Sequence, residues 1–484
     1  MEKTKISRER RILSGTAVSL GAQIIGYVLY LFAIRAILGG LSKEENGVLF
    51  GIQRLCDLVL ALAVEAGMNT VVLRKIIQNE EDYDAIMATF AKLRFLLWLG
   101  ATALIVGIGL IFMPGNLSLL MVWSLYMLIG SKSALWRFVF ELRYRAKTNL
   151  LPVYLLGLLD TVLFLVIIYF APTPLTAMHI VSGFCISAIP GIVILMIMSG
   201  DWKVFSVPFS KPIAKDIFKS SFPVMLAFVL MQIHDKSDAF FLGYFTNATE
   251  LGKFGAVYRI LPPLLAVAIT ITTVFTPSIA KFQVSDPERC KRYIFGGLKI
   301  LLYFGGLISV MLSASTGLII EALTKGVYAD SYIQFFAFMW LPIPVYIIIF
   351  LFDINIVLGL QRNNFIITAV EAGLSIITNI LLTPFFASVG TVFSKLSTLI
   401  ISAAVAVWLL KSVLKDYNVL GFFTRYSAAA IGGLFCAVFL PNVMPEIAAS
   451  CLGGVVYMGL LFLLKAIDTD DVVLLRQYLQ KVYL

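Results

Sequence analysis

An all-α polytopic membrane protein with about 14 transmembrane helices is the fold class that three features of this sequence predict. These are long apolar runs, sparse charge, and a regular alternation of basic and nearly uncharged connections. Of 484 residues, 60% are hydrophobic and only 14% charged, where a soluble domain carries about 25% charged residues. A helix needs about 20 apolar residues to cross the hydrocarbon of a bilayer, so the chain holds enough for a dozen or more crossings. Too little remains outside them for a separate soluble domain, which needs about 50 residues.

Taken in order, the apolar runs are 12–38, 47–73, 95–113, 117–136, 149–170, 174–198, 220–245, 252–277, 293–319, 331–358, 364–386, 389–410, 426–440 and 447–465. The first is too long for a signal-peptide core and lacks a cleavage motif, so it reads as an uncleaved span. Only Pro114, Gly115 and Asn116 separate the third and fourth runs, and the thirteenth is the shortest. Pro208 and Pro212 lie among basic residues and mark a linker. The organisation expected is a six-helix bundle over 1–198, a cytoplasmic linker over 199–219, and a second six-helix bundle over 220–410. Two additional helices and a cytoplasmic tail follow over 411–484.

Orientation follows from charge. The chain has 38 Lys+Arg against 28 Asp+Glu, a net +10. In a polytopic protein that excess reports sidedness, not nucleic-acid binding, because basic loops stay in the cytoplasm. The N-terminus, the connections after even-numbered spans and the C-terminal tail hold 27 Lys+Arg, whereas the connections after odd-numbered spans hold three, Lys43, Lys253 and Lys325. Both termini are therefore expected to be cytoplasmic. The five cysteines show no paired spacing and read as small core residues.

A short repeat connects the halves. Residues 38–55 read LGGLSKEENGVLFGIQRL and residues 242–260 read LGYFTNATELGKFGAVYRI. Gly47 and Gly252 each precede an arginine, Arg54 and Arg259, at one common spacing. The offset spans six helices, an even number, which means parallel repeats. Transporters built this way pack two bundles about an axis normal to the membrane, with the substrate path between them.

Ionisable groups inside spans are costly and usually face an interior cavity. The first bundle carries Arg35, Arg54, Asp57, Glu65, Lys132 and Asp160. The second carries His234, Asp235, Lys236, Asp238, Arg259, Asp353, Glu371 and Lys395. Arg54 and Asp57 share a helical stripe, either as a cavity face or as an intrahelical pair. The densest group, His234-Asp235-Lys236-Ser237-Asp238, cannot face lipid from every side. It either takes part in transport, with Asp235, Asp238, His234 and Asp57 as ion-coupling candidates, or ties helices together as a neutral network. Arg54, Arg259, Lys236, Arg35, Lys132 and Lys395 are the candidate substrate-binding cations, and arginine suits phosphate because its planar fork binds two oxygens. Against this, Arg35 is able to snorkel to the surface, and Lys132 and Lys395 to pair with Asp160 or Glu371. No HExxH, P-loop or GxSxG motif occurs, so no catalytic residue, metal ligand or cofactor is expected.

The opening GTAVSLGAQIIGYVLYLFAIRAILGG, then EENGVLFGIQRLCDLVLALAVEAGMNTVVLRK, then ELRYRAKTNLLPVY, and Asn379 to Pro384 followed by Gly390, resemble a known family. It is the polysaccharide-transporter (O-antigen flippase) branch of the multidrug/oligosaccharidyl-lipid/polysaccharide exporter superfamily. The resemblance implies two lobes around a cavity that faces each side of the membrane in turn. It implies an undecaprenyl-diphosphate-linked oligosaccharide carried from the inner to the outer leaflet of a bacterial cytoplasmic (inner) membrane. Membrane lipid, a coupling ion (proton or sodium) and polysaccharide-assembly proteins are the other implied partners, in the setting of lipopolysaccharide synthesis. The lipid II flippases of the superfamily carry arginines in the first, second and eighth spans and two extra C-terminal spans. Arg54 and Arg259 match in span; Arg35 lies later in its span than the arginine it would replace. An ion-coupled antiporter of the multidrug-extrusion branch is the first alternative, and a polytopic polysaccharide polymerase or ligase the second.

Sidedness is testable by cysteine labelling. Cysteines placed at Asn116, Asn247 and Asn442 are expected to react with an impermeant reagent added outside, and those at Lys147, Lys211 and Arg476 to stay protected. The opposite pattern inverts the topology.

Overall fold

A computed structural model describes residue 21 and residues 23–60, 68–78, 82–129, 151–199 and 206–467. Every regular element among them is a helix. Two compact units divide the chain, Met1–Gly243 and Tyr244–Leu484. The division falls after the seventh span, whereas the proline-marked linker lies before it.

The first unit contains α1 (Gln23–Leu38), α2 (Lys43–Leu60), α3 (Met68–Gln78), α4 (Tyr83–Phe112) and α5 (Leu117–Ile129). It continues with α6 (Leu151–Tyr169), α7 (Ala177–Ser199) and most of α8 (Lys211–Phe245). The second contains α9 (Ala248–Tyr258), α10 (Leu261–Ser285), α11 (Pro287–Ala314), α12 (Thr316–Thr324) and α13 (Tyr332–Phe338). It ends with α14 (Pro342–Val357), α15 (Gln361–Leu409), α16 (Val419–Phe439) and α17 (Glu446–Leu463). Among the described residues, eight helical segments are long and apolar enough to cross a membrane, and Gln23–Leu38 and Leu155–Tyr169 are shorter apolar helices.

Helix boundaries depart from the apolar runs where backbone chemistry overrides hydropathy. α4 begins twelve residues before its apolar run, because Tyr83–Arg94 is free of Gly and Pro and buries Ile86, Met87, Phe90 and Ala91 against Met68, Val72 and Ile217. α8 likewise starts inside the expected linker, since Pro212 sits in its first turn, where a missing N–H costs nothing. There Lys75 pairs with Asp216, and that hydrogen bond holds the Asp216 carboxyl below the usual carboxylate range. The eighth span is broken between α9 and α10. Pro262 and Pro263 cannot donate to the carbonyls of Tyr258 and Arg259, so the helix ends with Arg259 as its C-cap. α15 folds back on itself at Ala387 (φ 48°, ψ −131°), giving two arms, 361–386 and 388–409. Hydroxyl bonds from Thr378 to Ser394 (2.6 Å) and Thr383 to Thr391 (3.2 Å) pin the arms together. A Cβ at Gly390 would collide with the Leu382 carbonyl, so only glycine allows the arms this close.

The parallel repeat is visible as one staple used twice. α2 is capped by Ser42, whose Oγ accepts from the Glu45 N–H at 3.1 Å. α9 is capped by Asn247, whose Oδ1 accepts from the Glu250 N–H at 3.0 Å. Each helix therefore places a glutamate in its first turn, and each glutamate reaches a helix start elsewhere in its own unit. Glu45 accepts from the Ala177 N–H at 2.7 Å, where α7 begins. Glu250 accepts from the N–H and the hydroxyl of Ser388, where the second arm of α15 begins. A carboxylate on the exposed amides of a helix N-terminus is favoured by both hydrogen bonding and the helix dipole.

The C-terminal pair is packed into the second unit along the length of α11. Tyr303 donates to the Ala466 carbonyl at 2.6 Å, Ser450 to the Met311 carbonyl at 2.8 Å, and Glu446 accepts from the Leu318 N–H at 2.7 Å. Tyr457 and Tyr426 lie over Gly306, where a Cβ would have no room. Large exposed apolar side chains such as Leu104, Ile111, Phe112, Phe435 and Val455 are what a lipid-facing surface requires.

The staple predicts equal behaviour of two distant residues. Glu45→Ala and Glu250→Ala are each expected to cost about 1–3 kcal/mol, the loss of a charge-assisted bond to an amide. Glu44→Ala, one residue from the first, should be near neutral. Thermal unfolding in detergent measures all three; a neutral Glu45→Ala refutes the staple.

Candidate functional site

Four ionisable side chains meet inside the first unit, two from α2 and two from α8. The Arg54 guanidinium donates to Asp235 Oδ2 at 3.4 Å. The Lys236 ammonium lies 2.7 Å from the same oxygen and 4.0 Å from Asp57 Oδ2. Trp123 of α5 donates its indole N–H to the other Asp57 oxygen at 3.2 Å. The result is a chain of alternating sign, Arg54, Asp235, Lys236, Asp57, terminated by a neutral donor. Arg54 also stacks on Phe50, one turn away, with 4.7 Å to the ring centroid.

Its depth follows from helix geometry. Arg54 is about 16 Å along α2 from Lys43, and Asp235 about 15 Å along α8 from Phe245, at 1.5 Å per residue. Both distances are near half of a hydrocarbon core about 30 Å thick. Charges at that depth need partners, and the four cancel one another.

Exposure separates the signs. The Arg54 and Lys236 side chains are each 11% exposed, whereas Asp57 is 30% and Asp235 35% exposed. The carboxylates cover the cations. On the same helix His234 and Asp238, one turn apart, are buried, on a stripe rotated away from Lys236. Trp123 is itself held by rings: its centroid is 4.9 Å from Tyr126 and 6.0 Å from Phe184.

The remaining candidates are distributed. Arg35 is exposed in the last turn of α1, a favourable place for a cation at a helix C-terminus. Lys132 and Glu65 lie outside the described residues. Arg259, half-buried at the break after α9, and Lys395 belong to the second unit. Lys395 is buried on one arm of α15 and interacts electrostatically with the buried Glu371 of the other, the pairing weighed from the sequence. Around it runs a polar seam, Thr368, Ser375, Asn379 and Thr383 on one arm and Thr391, Ser394, Thr398 and Ser402 on the other, all buried.

Sequence reasoning passed over that seam because hydroxyls carry no charge signal, although their spacing of three and four residues was there to read. It also passed over Trp123 and two buried cations that rest on rings. Arg94 lies over Phe90 at 5.5 Å. Lys299 lies between Phe295 and Phe422 at 5.5 and 5.6 Å. Among the described residues, no group of three or more His, Cys, Asp or Glu is placed to hold a metal ion.

Fold and site define a polytopic helical transporter class, and comparison with known proteins places the chain within it. The family model described as polysaccharide biosynthesis protein matches residues 41–333, more than half of the chain, and the protein belongs to that family. Its fold is that of the MOP superfamily. It is similar to the lipid II flippase MurJ in an inward closed conformation, at 15% identity and TM-score 0.72, over 95% of this chain and 100% of that one. It is similar to a multidrug resistance MATE family transporter in an inward-facing conformation, at 15% identity and TM-score 0.58, over 80% of this chain and 95% of the other. A MOP superfamily transporter from Pyrococcus furiosus, whose binding pocket is described as reversed in polarity, aligns at 14% identity and TM-score 0.53. That match covers 83% of this chain and 95% of that one. No curated protein matches the sequence.

The ion pairs make a measurable expectation. A double-mutant cycle with Arg54→Met and Asp235→Asn should return a coupling energy on the order of 1 kcal/mol or more, because one partner is well buried and the other only partly. A coupling of zero in detergent-solubilised protein means that Arg54 and Asp235 do not interact in the folded state.

Proposed function

We propose that the protein flips a lipid-diphosphate-linked oligosaccharide from the cytoplasmic to the outer leaflet by alternating access, as a step in cell-surface polysaccharide biosynthesis. The observation that carries this reading is the pair of deeply placed cations, Arg54 and Lys236, in a chain whose family is polysaccharide biosynthesis. A diphosphate crossing the membrane needs fixed positive partners where water is scarce. Arginine supplies a bidentate fork, and lysine beside it a mobile point charge. Arg259, in the matching position of the second repeat, is assigned the same task on its side of the path. With both termini in the cytoplasm of a bacterial inner membrane, the helix starts at Lys43 and Ala248 face outward. Arg54 then lies near the middle of the membrane.

A second reading, an ion-coupled antiporter of the multidrug-extrusion type, is favoured by one observation: the most exposed members of the cluster are the carboxylates Asp57 and Asp235. An organic cation would meet them first. The two readings differ in which charge is indispensable.

Proteoliposomes loaded with either a fluorescent undecaprenyl-diphosphate oligosaccharide or a fluorescent organic cation separate them. Under the flippase reading, Arg54→Ala lowers lipid flipping by about tenfold or more, the loss of one charge-assisted clamp, with normal insertion, and Arg54→Lys keeps part of it. Organic-cation exchange should be absent. Normal lipid flipping by the Arg54→Ala, Arg259→Ala double variant overturns the phosphate clamp, and cation exchange abolished by Asp57→Asn establishes the antiporter.

A further inference from the structure

The charge balance of the cluster carries a consequence for what must accompany the cargo. Two cations and two carboxylates sum to zero, and Asp235 alone occupies both cations. An anion therefore cannot simply add to this site. It must take Arg54 and Lys236 away from Asp235, and the displaced carboxylate would then stand beside the anion near mid-membrane with no countercharge. Asp57 cannot release the tension, because it already shares Lys236 and is tied to the Trp123 indole.

We infer that Asp235 is a displaceable lid on an anion receptor formed by Arg54 and Lys236, and that opening it for a phosphate-bearing cargo takes up one proton on Asp235. This rests on the reading of the cargo as a diphosphate.

Three observations point the same way. The lid is the most exposed member of the cluster and the cations the least, so an arriving anion meets Asp235 before either cation. The bond to Arg54, at 3.4 Å, is longer than the 2.7–2.9 Å of a tight charge-assisted pair, so it is the one an oncoming phosphate can exchange. Arg54 stays seated on Phe50 and needs no carboxylate to hold its place. The charged groups around Asp235 are Arg54 and Asp57 of α2 and Lys236, His234 and Asp238 of α8; α5 contributes the neutral Trp123. Among these, Asp57 and Asp238 repel an added negative charge, while Arg54 and Lys236 are engaged by the anion. A carboxylate left among like charges is the group whose protonation relieves most repulsion. Anion binding and proton binding are then linked, each strengthening the other by the same factor.

Calorimetry tests this on the intact protein in neutral maltoside micelles. The probe is geranylgeranyl-diphospho-N-acetylglucosamine, a diphosphate diester with no titrating proton near neutral pH. Titrations in two buffers of different ionisation enthalpy count protons. The expected result is uptake of about one proton per anion, with affinity rising up to about tenfold for each unit of falling pH. Asp235→Asn should bind at least as tightly as the wild type, with no pH slope and no uptake. Binding without proton uptake, or binding that requires sodium at fixed pH, overturns the lid and leaves the diphosphate reading standing. Failure of both proteins to bind at every pH overturns both. Because the proton count is made on the wild type, a poorly folding variant does not weaken the test.

Discussion

Charge neutrality inside hydrocarbon is the constraint on which the first unit is arranged. An isolated arginine or lysine near the bilayer midplane costs about 2.5–3.5 kcal/mol on insertion scales, and the chain places one of each there, on different helices. Asp235 and Asp57 compensate them, and the compensation fixes which faces of α2 and α8 meet. Trp123 and the rings behind it orient the last carboxylate. A neutral apolar contact could join two helices at lower cost. Retaining four mutually balanced charges is economical only if the balance can be broken and remade by something that carries charge.

The second unit solves a similar problem by other means. Its one opposed buried pair on α15, Glu371 and Lys395, sits within a seam of hydroxyls and one amide. Those groups bond mostly to the carbonyl one turn back or to each other across the hairpin, as Asn379 does to the Ser375 carbonyl at 2.8 Å and Thr383 to Asn379 at 3.0 Å. Such bonds are weak individually in a membrane setting, but they let the arms approach where Gly390 removes a side chain. The shared Glu45 and Glu250 staples show that the two units descend from one local plan, while their interiors have diverged in polarity.

How much of this the sequence discloses depends on the physics involved. Hydropathy and loop charge disclose the polytopic helical class, because the bilayer imposes a length and a composition on every span. The cluster on the seventh span and Arg54 were visible for the same reason, as charges where none is affordable. Their partners were not. An intrahelical Arg54–Asp57 pair is what local spacing suggests, yet Arg54 reaches Asp235 and Asp57 is approached by Lys236. Cross-helix pairing depends on helix rotation, which no window of sequence encodes. Breaks were partly legible: Pro262-Pro263 announces the end of α9, whereas the turn at Ala387 lies in a run with no glycine at the turning residue.

The two repeat arginines show why a matched spacing is not a matched role. Arg54 lies in the middle of an unbroken helix, with its carbonyl and amide committed to helical bonds and its side chain alone available. Arg259 caps a helix that prolines terminate, so the carbonyls of Tyr258 and Arg259 are released from helical bonding beside the guanidinium. Irregular backbone at membrane depth persists where it is buried in protein or lines a polar cavity. The first position therefore presents a cation under a carboxylate lid, and the second a cation beside backbone oxygens. Two clamps of unequal character on one cargo would let its phosphates exchange a proton-linked partner on one side for a fixed one on the other. That asymmetry gives a symmetric scaffold a direction.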